Sequence, residues 1–466
     1  MKRLWLARLL FETRSPLAIH SGDRDTGFDQ QLVRDANGLP YIPATSFVGV
    51  WRQKATQQLG TSPTLGQSIA DYWFGTTDNE SAQLSVHHGL LLNSQGKPVQ
   101  GLVTEQDIHQ DPLLSRLYQA NPLHRERVRI NDRGCAADKG KFDTVLLPRG
   151  LRFVVDIRWM QCDESPEREA QWHALLALLA DPAFALGAST RNGLGKLGLV
   201  SSEITPLTLQ GQPQAGAQML RFAQRDTLPQ GQALPPSEAT PFARLGVTAL
   251  GGWRAGSGAR PIGNDTTEHT DTFTFTESAI QWQKQHATWC DKPQAVLCGS
   301  TIKGILAHRT AYNLRRLNGD FAEQLTETDS KSWENRPAAL AELFGSEDSD
   351  APLAGRLIVD DCVILQPHPL HRTHTSIDRF TGGVRQGRLF SEEILWQPEI
   401  TLTLHVLPGK PLSAKVQQAF EETLNDLKEG LLPLGAASGR GLSLVMHQPH
   451  QPWDIDFAQL TGSGKE

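Results

Sequence analysis

The chain has 466 residues, 39% of them hydrophobic and 21% charged, and a formal net charge of −6. That length favours two or three domains, each with its own core, and the negative balance excludes a uniformly basic wrapper of nucleic acid, so any such site is local. No run approaches the roughly 18 apolar residues of a membrane span, the start MKRLWLARLLFETRSP lacks the features of a signal peptide, and the five scattered cysteines show no zinc or disulfide spacing; the expectation is a cytoplasmic protein.

Strand sequence opens the chain at Leu4 to Glu12 and leads to Ser21-Gly22. An acidic stretch follows with Asp23, Asp25, Asp29 and Asp35, and a helix is expected to begin at Thr45-Ser46, whose hydroxyls would cap its first turn. Trp73-Phe74-Gly75, an acidic turn and the strand LSVHHGLLL come next. Then His124 to Gly150, HRERVRINDRGCAADKGKFDTVLLPRG, reads as a basic projection. A strand from Leu151 to Trp159, a helix from Glu167 to Leu179 and a Gly-rich turn, FALGASTRNGLGKLGLV from Phe184, complete the unit.

Thr205 to Pro241, rich in Gln, Pro and Ala, reads as a linker, after which the same landmarks return in the same order. They are a strand from Ala243 to Ala249, Ser257-Gly258, a helix start at Ser300-Thr301, Leu343-Phe344-Gly345, and the strand RLIVDDCVIL. A second basic run, HRTHTSIDRFTGGVRQGRLF from His371 to Phe390, has no strand or helix periodicity and reads as a long projecting loop. A strand from Ile400 to Val406, a helix from Ser413 to Leu427 and the turn LPLGAASGRGLSLVM close the second unit. Leu186-Gly187-Ala188 aligns with Leu434-Gly435-Ala436, and Gly193 with Gly439 or Gly441. The reading is α+β, two tandem ferredoxin-like domains at 1–204 and 242–466 joined by 205–241, the second carrying an acidic insertion between Gly258 and Ala295.

Arg and Lys spaced along projections and Gly-rich turns suit the phosphates of an RNA strand. The candidates are Arg52, Arg127, Arg129, Arg133, Arg191, Lys196, Lys303, Arg309, Arg372, Arg379, Arg385 and Arg440, with Ile130, Ile377 and Phe380 as apolar wedges between bases. His87, His88, His371 and His374 are candidates for acid–base processing of an RNA. There is no P-loop, nucleophile elbow or HExxH.

The segments SPLAIHSGDRDTGFDQQLVRDANGLPYIPATSFVGVWR and GSTIKGILAHR resemble the RAMP superfamily of CRISPR-associated proteins, and SIDRFTGGVRQGRLFSEE resembles the thumb motif of type III backbone subunits. The resemblance implies a fused pair of RRM-like units, each projection being a thumb, that binds crRNA and target RNA beside other CRISPR effector subunits of a type III complex. It also implies cleavage of target RNA at acidic loops with Mg²⁺ or another divalent metal, a carboxylate-held ion suiting 2′-hydroxyl attack. Asp29 matches the family's catalytic, metal-holding aspartate, with Asp23 and Asp25 as helpers. The second loop holds Asp265, Glu268, His269, Asp271 and Glu277, and counting back from SAIQW sets Glu277 or Asp271 opposite Asp29. Two alternatives stand beside this: an inert structural RNA-binding subunit, and a guide-processing endoribonuclease.

Overall fold

The computed structural model describes residues 3–22, 30–62, 66–77, 81–131, 134–163, 165–208, 214–235, 240–263, 270–290, 292–324, 336–346 and 352–461. Asp23, Asp25, Asp29, Arg133, Asp265, Glu268 and His269 lie outside them.

The first unit is built on strand β1 (Arg3–Thr13), helix α1 (Ala44–Gln58), strand β2 (Leu84–Val86), the hairpin β3 (Leu123–Ile130) and β4 (Ala136–Leu146), strand β5 (Arg152–Gln161), helix α2 (Pro166–Ala177) and strand β6 (Leu197–Thr208). Its sheet runs β2-β5-β1-β6 with every pairing antiparallel. That is the strand order of a split βαβ unit used twice, and the hairpin is inserted between its second and third strands. A helix α3 (Gln214–Gln224) follows.

The second unit repeats the plan. Strand β7 (Ala243–Ala249), helix α4 (Gly299–Asn318), strand β8 (Leu357–Val359), the hairpin β9 (Pro369–Ile377) and β10 (Val384–Trp396), strand β11 (Glu399–Val406), helix α5 (Ala414–Lys428) and strand β12 (Val445–Met446) give a sheet ordered β8-β11-β7-β12. The two units therefore share one α+β topology.

Each core lies between the sheet and its helices. In α1, Phe47, Trp51 and Ala55 recur every four residues and form the buried stripe. Trp51, Trp73, Trp159 and Trp172 are almost fully buried, and the rings of Trp73 and Trp159 meet edge-on with centroids 4.7 Å apart. Phe242, Phe344 and Phe420 hold the corresponding place in the second unit. The helices α2 and α5 carry serine caps, Ser165 accepting from Arg168 N and Ser413 from Val416 N; helices α1 and α4, where hydroxyl caps are expected, are built differently.

Helices α1 and α4 begin at Ala44 and Gly299, one residue before the expected hydroxyls, and no side chain of Thr45-Ser46 or Ser300-Thr301 caps them. Their first N–H groups are met from a distance. Ala44 N donates to His88 Nδ1 at 3.0 Å, and Gly299 N donates to Asp361 Oδ1 at 2.8 Å.

The segment after β6 packs on the outer face of the first sheet. Met219 and Phe222 of α3 lie against Leu4, Leu6 and Leu207, and buried Asp156 takes both Arg8 (2.9 Å) and Arg225 (2.8 Å). The stretch SAIQW is also re-placed: strands Ile280–Gln283 and His286–Trp289 form a hairpin that packs on the first unit, Ile280 N donating to Arg149 O and Trp282 Nε1 to Gly150 O.

Candidate RNA interface

Both basic projections are β-hairpins rather than irregular loops. In thumb 2 most side chains of β9 and of the outer half of β10 are exposed on both faces, so no alternation of apolar and polar residues marks them as strands. The strands of the two hairpins match pair for pair, the turn of thumb 2 being one residue longer. Each carries a register shift one pair before its tip, and the last pair is Ile130 with Ala136 in thumb 1 and Ile377 with Val384 in thumb 2. At each tip one short polar side chain ties the turn. Asn131 accepts from Cys135 N at 3.0 Å, and Asp378 accepts from Phe380 N (3.0 Å) and Thr381 N (2.9 Å). Those backbone donors hold the Asp378 carboxyl below the ordinary carboxylate value, with little burial to oppose them.

The wedge candidates sit at these tips, open to solvent: Ile130 is 45% exposed, Ile377 54% and Phe380 100%. Behind them each thumb sets a nitrogen-bearing side chain beside a phenyl ring. Arg127 lies 4.9 Å from the ring of Phe142 and donates to Thr144 Oγ1 at 2.9 Å. At the same register His374 stacks on Phe390 at 5.0 Å and contacts buried Glu392 at 2.7 Å, which also receives Arg440 at 3.2 Å.

The remaining cations divide by environment. Arg372, Arg379 and Arg385 are exposed on thumb 2, and Arg129 is exposed on thumb 1. Arg52 pairs with Asp71 at 2.8 Å, Arg309 with Asp426 at 2.6 Å, and Arg191 is half-buried in the first Gly-rich turn. Lys196 reaches Asp360 at 2.5 Å. Lys303 does not face solvent: it is buried, donates to Leu357 O at 2.9 Å, and burial pushes its pKa down to about 8.

The segments flanking the acidic loops are tied by matched backbone bonds. Val33 N donates to Ile19 O as Phe275 N donates to Ala255 O, and Ser21 N to Gln31 O as Gly258 N to Phe273 O. Arg34 pairs with Pro40 where Thr276 pairs with Ala295. That register sets Glu277 opposite Asp35, and counting back from it makes Asp271 the counterpart of Asp29. Of the two residues the count from SAIQW admits, Glu277 is the one that comes from treating the docked hairpin as a strand of the repeat. Asp271 is exposed and zipped to the root of thumb 2, its N donating to Ser391 O at 3.0 Å and its Oδ2 accepting from Ser391 N at 2.8 Å.

Glu277 is buried, and both of its oxygens are taken by Arg125 of thumb 1, Oε2 at 2.8 Å. The same guanidinium reaches Asp361 at 2.6 Å. Burial disfavours the charge on Arg125, but Asp361 and Glu277 more than offset this and raise its pKa well above the ordinary value. This cluster, with the nearby Lys196–Asp360 pair, joins the two units. Glycine is required beside it, because a Cβ on Gly193 would lie 2.3 Å from Asp361 Oδ1 and one on Gly299 2.3 Å from Val359 O. Nothing in the sequence marks Arg125 apart from its basic neighbours; only the pairing of the two thumbs would have shown it.

The Gly-rich turns superpose by their bonds as well. Ala188 N donates to Ala18 O and Ala436 N to Arg254 O, each at 2.7 Å, and Leu194 and Leu442 close the turn onto Ser189 and Ala437. Ser189 and Ala437 both have left-handed backbone, which aligns Gly193 with Gly441 rather than Gly439.

The family model of the RAMP superfamily matches residues 10–198 and 294–445. The chain belongs to the RAMP superfamily. The two matched stretches fall one on each repeated unit, so this is a tandem RAMP protein, and membership implies a CRISPR-associated RNA-binding subunit. No curated protein matches the chain. Among the described residues no helix is long and apolar enough to cross a membrane.

Among the described residues, one group of three potential metal ligands has its ligand atoms within 4.8 Å of one another, His124, Glu126 and Asp143 on thumb 1. Asp271 belongs to no such group among the described residues. A single exposed carboxylate still fits Mg²⁺, which usually keeps several waters and takes one or two carboxylates together with substrate phosphates. Glu277 does not fit, since its oxygens are spent on Arg125.

Proposed function

We propose that this tandem RAMP protein is a backbone subunit of a type III CRISPR ribonucleoprotein, binding crRNA and cutting the paired target RNA at its acidic loops. The observation that carries the reading is the repeated thumb: an exposed apolar tip on a hairpin whose root, in the second unit, holds an exposed aspartate. From the pair at Ser391 to the pair at Ile377 the hairpin spans roughly 13 Å at about 3.3 Å per residue, so the wedge and the carboxylate act at separated points of one strand. An apolar tip driven between bases unstacks them and frees the sugar–phosphate to rotate. In-line attack of a 2′-hydroxyl on the adjacent phosphorus then needs that geometry held and its developing charge met.

Asp29 and Asp271 are the carboxylates proposed to orient the scissile phosphate, and Arg372, Arg379 and Arg385 to grip neighbouring phosphates. A divalent metal held by these carboxylates would supply the Lewis acid. The test is target cleavage by a reconstituted complex carrying Asp29→Ala, Asp271→Ala, or both. Each single change is expected to remove one class of cuts and the double change all of those made by this chain. Unchanged cutting by the double variant in an assembled complex would leave the inert structural reading in its place.

A further inference from the structure

The joint inside this chain shows how one unit's thumb meets the next unit. The donor face is Arg125 on thumb 1, which takes Glu277 and Asp361, with Lys196 of the first Gly-rich turn, which takes Asp360; His405 Nε2 lies 3.3 Å from Asp360 on the acceptor side. A joint of this kind is heterologous, the two faces being different, and repeated from copy to copy it builds an open filament unless the ends differ. This chain has one unused donor, on unit 2, and one unused acceptor, on unit 1.

Of the donor face the arginine is intact, while Lys196 has Leu444 as its counterpart, since Leu186 N donates to Gly195 O as Leu434 N donates to Ser443 O. Register places Arg372 where thumb 1 has Arg125, and Arg372 is exposed. The acceptor is not intact. His87 N donates to Asp156 O (2.9 Å) as Asp360 N donates to Thr403 O (3.1 Å), which sets His87 at the place of Asp360 and Arg158 at the place of His405. His88 stands for Asp361, accepting the first N–H of α1 through Nδ1, so its proton is on Nε2. Asp35 stands for Glu277, but its Oδ1 accepts from Asn37 N and Leu39 N and its Oδ2 from Asn37 Nδ2, so it is spent on its own turn. Arg225 adds a further guanidinium, donating to His88 O at 2.7 Å. Where unit 2 offers three carboxylates, unit 1 offers two imidazoles, the Arg158 guanidinium, the Arg225 guanidinium paired with buried Asp156, and one occupied carboxylate.

We propose that the two open ends of this chain cannot mate with each other, so that it enters an assembly as a single copy whose thumb 2 root docks on the carboxylate-bearing edge of a different RAMP-type protein. The identity of that neighbour rests on the backbone-subunit reading; the exclusion of self-stacking rests on the joint alone. Like charges set face to face suppress the wrong partner, while the same guanidinium is drawn to an acidic edge.

The test is sedimentation velocity on the full chain without RNA, so that it stands or falls apart from guide binding and cleavage. The wild type is expected to remain one monomeric species over a roughly hundredfold range of concentration. The triple variant His87→Asp, His88→Asp, Arg158→His carries the unit 2 residues at those three places; its sedimentation coefficient is expected to rise with concentration, and adding Arg372→Glu to return it to the monomer. Wild-type chain that self-associates overturns the proposal, as does a triple variant of native circular dichroism that stays monomeric. If the triple variant does not fold, the wild type and Arg372→Glu decide between the two outcomes by themselves.

Discussion

Thumb 1 and thumb 2 are the same hairpin in different company. Both leave the sheet between its second and third strands, both shift register one pair before the tip, and both set a nitrogen-bearing side chain, Arg127 or His374, against a phenylalanine. Yet Arg125 of thumb 1 is 3% exposed, sealed between two carboxylates of the other unit, while Arg372 at the same register lies in solvent. The tip of thumb 1 is also steadied from outside, His308 of α4 lying 3.1 Å from Ile130 O. One sequence position is thus a structural fastener in the first unit and an open contact in the second. An arginine's role is set by what faces it, and residue type alone does not reveal it.

The largest effect that follows is on stability. Arg125→Met leaves Glu277 and Asp361 buried without their partner, and is expected to cost about 3–5 kcal/mol in denaturant unfolding, whereas Arg372→Met is expected to change stability by no more than about 0.5 kcal/mol. Equal costs at the two positions would mean that they are not opposite cases.

Lys303 sharpens the comparison between the units, because its counterpart on α1 is Val48. Burial lowers its folded pKa to about 8, against an ordinary 10.5. Between those values the unfolded chain binds the extra proton, so stability rises with pH across that window, by about 3 kcal/mol in all. Lys303→Met is expected to flatten that rise, and a rise that persists in the variant would assign it to another group.

A smaller effect is expected at the tip. Phe380→Ala removes a wholly exposed ring, leaving unfolding unchanged and weakening the hold on RNA by about 1–3 kcal/mol if the ring stacks on a base. A change in stability with no change in RNA affinity would make it an anchor of the hairpin. The smallest concerns Asp378, whose folded pKa is depressed by Thr381 and Phe380 N–H groups. Its contribution to tip order is present above the unfolded carboxylate pKa and lost as pH falls through the folded one, to be followed by the chemical shifts of the tip amides; Asp378→Asn, the residue type of thumb 1, should abolish that titration.

Much of the fold was legible because the repeat carried it. Trp73-Phe74-Gly75 and Leu343-Phe344-Gly345, or Leu186-Gly187-Ala188 and Leu434-Gly435-Ala436, are constrained by the same turns in each unit and so kept their order. The thumb strands were not legible, since a hairpin wetted on both faces has no inward side to alternate with. Glu277 competes with Asp271 for the place opposite Asp29 in the sequence because SAIQW looks like a strand of the repeat, though it is an arm laid on the other unit. The caps of α1 and α4 were misread for a related reason: the groups that meet Ala44 and Gly299 are His88 and Asp361, 44 and 62 residues away in sequence. Such long-range contacts leave no local signal.

The most direct test is to place 2-aminopurine at successive positions of a target strand paired to the guide in the assembled complex and read its fluorescence. Two regularly spaced positions are expected to brighten, one for each thumb, with Ile377→Ala and Phe380→Ala together darkening one and leaving the other. A uniformly quenched strand would show that neither tip enters the duplex, and would contradict the account.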